Sequence, residues 1–173
     1  DGAGTAQFAL VNSDHFKVAS MGSCCEDMYS FALAPGPEFT RQLRERGYRY
    51  FEPDMEQFWR PMSLILNAER INVPLLLQIG DSEYEGALDV VEAWSHRGKA
   101  IELYVFPDGP HLKWQPAHRE AIYQRNIEWF EFWLGSKRTC DPSRDRQYDR
   151  WLAMPGAPVL TSLACAAPYA SGP

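Results

Sequence analysis

Positive charge is in short supply: 17 Lys and Arg face 23 Asp and Glu, giving a net charge of -6 and an isoelectric point near 5.2. Without a global basic field, nucleic acid and anionic membrane surfaces are excluded as expected partners. Long apolar runs are missing too. Val73 to Ile79 and Ile101 to Phe106 fall far short of the roughly 20 residues that cross a bilayer as a helix. Metal or redox cysteine spacing is also absent. Of four cysteines, Cys24 and Cys25 are adjacent and Cys140 and Cys165 lie toward the C-terminus, with no C-x-x-C. The first reading is free thiols in a reducing compartment, and the second is a bridge from the Cys24–Cys25 region to the tail. The compartment stays open between the cytoplasm, which free thiols favour, and the periplasm. No G-x-G-x-x-G turn leads to a ribose-binding acid and no ligand cluster stands out, so neither a cofactor nor a metal is expected.

What the chain does hold is apolar material. With 45% hydrophobic residues, six Trp, eight Tyr and nine Phe, its 173 residues suffice for one domain with a sizeable core. Small residues lead residues 2 to 12 and Phe8, Leu10 and Val11 follow, which predicts a helix packed closely under a turn. Phe16 to Met21 predicts a short buried strand. Residues 28 to 60, punctuated by prolines and glycines around an arginine-rich helix-like piece at Phe39 to Arg46, read as an excursion over strand ends. A short helix is expected from Pro61 to Glu69. Val73 to Ile79 has the near-continuous apolar character of a central parallel strand. A helix stopped by Gly98, a strand from Ile101 to Phe106 and a long amphipathic helix from Gln115 to Leu134 complete the alternation. The fold class is therefore α/β, a mostly parallel sheet flanked by helices. Residues 138 to 173 turn to charge and then to Pro, Ala, Gly and Ser, as in a tail lying on the domain or partly disordered.

Two residues at strand ends carry the chemistry. Glu83 follows the strand-like LLLQIG, His111 follows IELYVFPDGP, and one helix-length segment separates them. An α/β-hydrolase sets out the acid and histidine of its Ser, acid, His triad in that way. The loop before His111, stiffened by Pro107, Gly109 and Pro110, fixes the imidazole, whereas His15, His96 and His118 sit in structural or solvated settings. Asp81 stands beside Glu83 as the second candidate acid, and Glu83 lies at the more usual distance beyond the strand. Ser13, Ser20 and Ser23 lie outside any G-x-S-x-G, so the nucleophile is expected immediately before Asp1, with Asp1-Gly2 completing the motif. The Asp1 backbone N–H would then form half of an oxyanion hole. On this reading residues 1 to 137 are the C-terminal part of an α/β-hydrolase fold, lacking its N-terminal part and nucleophile.

In the order DGAGTAQFALVNSDHFKVA, NVPLLLQIGDSE and ELYVFPDGPHLKW, closed by the amphipathic helix, residues 1 to 135 resemble the prolyl oligopeptidase family. Within it the likeness is greatest to the lasso peptide isopeptidases, through Glu83, FPDGPHLKWQPAHREAIYQRNIEWFEFWL and DRQYDRW. The chain departs from the family pattern where Ile79-Gly80 replaces His-Gly, where Glu83 replaces Asp, and at Ala3, which replaces the second glycine after the serine. The resemblance implies a serine isopeptidase that opens a lasso peptide to a linear one, with His111 as base and Glu83 orienting it. It also implies an N-terminal β-propeller over the site; Tyr29 and Phe31, just past a strand end, are expected as substrate contacts, with core packing as the alternative. Alternatives are a general prolyl-oligopeptidase-like peptidase or esterase, or a catalytically dead scaffold.

Overall fold

A computed structural model of the chain describes residues 2–22, 27 and 36–166. Its centre is a parallel sheet ordered β1 (Ala19–Gly22), β2 (Leu75–Gly80) and β3 (Ile101–Phe106). Met21 pairs with Leu77 and Leu77 with Leu103, and the last matched pair is Gly80 with Phe106. All six residues of β2 are buried, as the apolar run predicts for a strand covered on both faces. Its side chains alternate between two cores. Leu75, Leu77 and Ile79 join Leu10, Val11, Val90 and Trp94 from α1 (Gly2–Asn12) and α5 (Leu88–His96). On the other face Leu76 meets Val18, Trp129 and Phe132, the last two from α6 (Pro116–Gly135). Full burial of each such large side chain is worth about 1.5–3 kcal/mol.

Boundaries differ from expectation for local reasons. The first strand begins at Ala19 rather than Phe16, because its register partner starts at Leu75 and the preceding Pro74 has no N–H to extend the ladder. The helix expected from Pro61 to Glu69 is shorter, α4 (Leu64–Asn67), starting where Ser63 Oγ accepts the Leu66 N–H at 3.0 Å, and a separate helix, α3 (Met55–Trp59), precedes Pro61. The excursion is less loop-like than its composition suggests. With α2 (Pro37–Glu45) and α3 it builds its own core from Leu43, Tyr50, Met55 and Trp59. Just before the excursion, the buried Asp27 carboxylate holds the start of α4, accepting from Ser63 Oγ at 2.5 Å and from the Ile65 N–H at 3.1 Å.

Of the two courses expected for the tail, residues 138–166 follow the docked one. Strand β4 (Lys137–Thr139) pairs in parallel with β5 (Ala164–Ala166), and between them α7 (Asp145–Leu152) buries Tyr148 and Trp151 against Trp129 and Phe132. The charged sequence of α7 hides this, since only one face carries the aromatics. Cys140 and Cys165 form a disulfide across the ladder. That corrects the free-thiol expectation for these two residues: β4–β5 pairing brings together side chains 25 positions apart. Cys24 and Cys25 lie outside the described residues.

Candidate active site

The site forms where β2 and β3 end side by side. Residues Phe106 to Gly109 make a tight turn closed by Gly109 N–H donating to Phe106 O at 3.1 Å, with Pro107 second and Asp108 third at φ 52. A type II turn needs that left-handed third position, which Asp tolerates better than bulkier residues do. The turn lies directly against the end of β2. A Cβ on Gly80 would fall 1.9 Å from Gly109 O, so two glycines let the backbones touch. Asp81 N–H donates to Phe106 O at 3.1 Å, and Asp81 Oδ2 accepts the Asp108 N–H at 2.7 Å. These contacts fasten the two loops together.

On that base the structure brings Glu83 and His111 into contact, with Nδ1 to Oε1 at 2.6 Å. A carboxylate only accepts, so Nδ1 carries the proton and Nε2 is the basic nitrogen of the neutral ring. The histidine side chain is 67% exposed and the glutamate 29%, so the ring faces solvent while its partner is sheltered. Glu83 Oε2 is buried and has no hydrogen-bond partner among the described residues. Asp81, the other candidate acid, is engaged with the Asp108 backbone. Lys113 curls back to donate from Nζ to His111 O at 3.1 Å. Burial lowers the pKa of its amine, and the nearby Glu83 charge opposes that shift.

The remaining histidines stand elsewhere. His15 and His96 are exposed, and His118 packs its ring 5.1 Å from that of Phe106. Ser20 Oγ donates to Asn126 Oδ1 at 2.6 Å, which makes it part of an interior network. Ser23, Asp1, Tyr29 and Phe31 lie outside the described residues. Among the described residues no group of three or more His, Cys, Asp or Glu converges to hold a metal ion.

Sequence reading missed the polar layer behind the site. Gln78, inside the apolar run, donates to Asn126 Oδ1 at 2.8 Å and accepts from Arg125 Nη1 at 3.2 Å. Arg125 also donates to Gln147 Oε1 at 3.1 Å and lies 3.5 Å over the Tyr104 ring, while Gln147 donates to Glu128 Oε2 at 2.7 Å. Burial lowers the Arg125 pKa, against the opposing effect of Tyr104. The one signal for this layer was a glutamine in an otherwise apolar strand, which must find partners when buried.

Comparison with known proteins follows the same lines. The family model described as "Prolyl oligopeptidase family" matches residues 2–137. Lasso peptide isopeptidase AtxE2 of Asticcacaulis excentricus is 42% identical over 154 residues, which is 89% of this chain and 22% of that protein. A solved structure of a serine-to-alanine variant of the AtxE2 isopeptidase, with astexin3-dC4 bound, superposes with a TM-score of 0.83 at 42% identity, covering 88% of this chain and 24% of that one. The apo AtxE2 isopeptidase superposes with a TM-score of 0.83 at 42% identity, covering 88% of this chain and 23% of its own. This chain thus spans under a quarter of the length of these relatives.

Proposed function

The chain belongs to the prolyl oligopeptidase family, and from that premise we propose that it is the C-terminal catalytic part of a serine isopeptidase that hydrolyses the isopeptide bond of a lasso peptide. The observation carrying this reading is the 2.6 Å contact between His111 Nδ1 and Glu83 at the carboxyl edge of a parallel sheet. The 42% identity to a lasso peptide isopeptidase supports the substrate class.

In this reading the nucleophile is a serine in the position preceding Asp1, at the N-terminal edge of α1. Its Oγ attacks the side-chain acyl carbon of the isopeptide bond while His111 Nε2 takes the hydroxyl proton. Glu83 holds the ring in its Nδ1–H tautomer and stabilises the imidazolium. The Asp1 N–H donates to the oxyanion, a role worth about 3 kcal/mol of transition-state stabilisation. Collapse of the tetrahedral intermediate expels the peptide's N-terminal amine, which receives the proton from His111. Water, activated by the same imidazole, then hydrolyses the acyl-enzyme and frees a linear peptide. Tyr29 and Phe31 are the proposed substrate contacts, and a β-propeller of the same protein is the proposed cover of the cleft. The Cys140–Cys165 bond favours an oxidising compartment such as the periplasm for this activity.

The test is product analysis by mass spectrometry on the full-length protein, given a threaded lasso peptide and its linear counterpart. The expected product is the lasso peptide plus one water, formed by the wild type, with H111A reduced by about 10³-fold or more. Cleavage of linear peptides or small esters without lasso opening would establish the general peptidase instead. No turnover on any of these substrates would leave a scaffold.

A further inference from the structure

The loops that meet at the site are strongly acidic. Residues 81–85 after β2 carry Asp81, Glu83 and Glu85, and residues 107–115 after β3 carry Asp108, with Lys113 the single lysine or arginine in either stretch. That lysine is not directed into open solvent. Its ammonium donates to His111 O at 3.1 Å and interacts favourably with the Glu83 charge, while Leu112 and Trp114 on either side are turned outward, 57% and 72% exposed.

We infer that Lys113 is a positioning residue for the reaction: it anchors the His111 backbone and supplies the cation that offsets the carboxylates around the Glu83–His111 pair. The inference rests on the reading of that pair as catalytic. Its physical basis is simple. A fixed cation held beside an imidazole opposes its second ring proton, and an imidazolium cannot act as a base. The cation must not replace Glu83's hydrogen bond to Nδ1, and it does not, because its own bond goes to the His111 carbonyl. Lys113 therefore biases protonation without disturbing tautomer or ring orientation.

The experiment is the pH profile of kcat/KM for lasso opening by the full-length wild type, K113M, K113Q and K113R. Removing the charge in K113M or K113Q should move the acid limb to higher pH and lower kcat/KM at neutral pH about threefold to tenfold, the size of one lost, partly screened charge contact. K113R, which keeps the charge, should restore the position of the limb. A merely structural lysine would lower activity evenly across pH. The inference is overturned if both neutral variants keep the wild-type limb, or if K113R shifts it as far as they do. H111A separates the two readings: full turnover in H111A removes the catalytic pair itself, whereas an inactive H111A beside unshifted K113M and K113Q profiles removes only the role of Lys113.

Discussion

Shortening Glu83 by one methylene is the sharpest probe of the pair. In E83D the charge is kept but the carboxylate retreats by about one carbon–carbon bond, ~1.5 Å. The 2.6 Å contact to His111 Nδ1 then opens to about 4 Å, beyond hydrogen-bond range. Asp81 is not positioned to take over, because its Oδ2 accepts the Asp108 N–H at 2.7 Å and helps hold the turn that carries His111. Nor are the loops free to close the gap, since Gly80 and Gly109 already touch backbone to backbone. The imidazole is left without its orienting partner, and kcat for lasso opening should fall on the order of 10²- to 10⁴-fold. KM should change little, because Glu83 acts through His111 and makes no substrate contact in this mechanism. Steady-state kinetics on the full-length protein, with product quantified by chromatography, reads both constants. Wild-type kcat in E83D would overturn the assignment of Glu83, and so would a collapse in D81N that leaves E83D active.

Two further outcomes follow from the fold. G80A places a Cβ where Gly109 O now lies, at 1.9 Å, so the loops must part. It should lower kcat at least tenfold and destabilise by about 1–3 kcal/mol, read by kinetics and thermal melting; an unchanged melt and rate would show that the close approach is dispensable. Breaking the Cys140–Cys165 bond, which joins residues 25 positions apart, should cost about 3.5 kcal/mol in the chain-entropy description. Reductant should therefore lower the melting temperature of the wild type and leave C140S/C165S unaffected, and a wild-type melt indifferent to reductant would count against the bond.

Elements with a strong local pattern of apolar residues are legible in the chain alone. The near-continuous apolar run from Val73 to Ile79, broken by Gln78, marked a central strand, and Ile101–Phe106 marked its neighbour. These patterns are legible because side-chain period follows directly from backbone geometry. Helix α6 was legible as an element but its buried face was not: Tyr123, Phe130 and Leu134 of the expected stripe are exposed, and Arg125, Glu128, Trp129 and Phe132 are buried instead. The sequence also placed Glu83 and His111 just beyond two strand ends. Their contact across 28 residues was decided by the Gly80–Phe106 register and the glycine-to-glycine approach. The division of labour between Glu83 and Asp81 came from the same source, since the turn's Asp108 N–H claims one carboxylate and the imidazole the other. Tertiary structure likewise decided the Cys140–Cys165 pairing, the burial of Tyr148 and Trp151, and the partners of Gln78. Such contacts depend on where distant segments cross in space, and residue spacing along a chain records only the local period of burial.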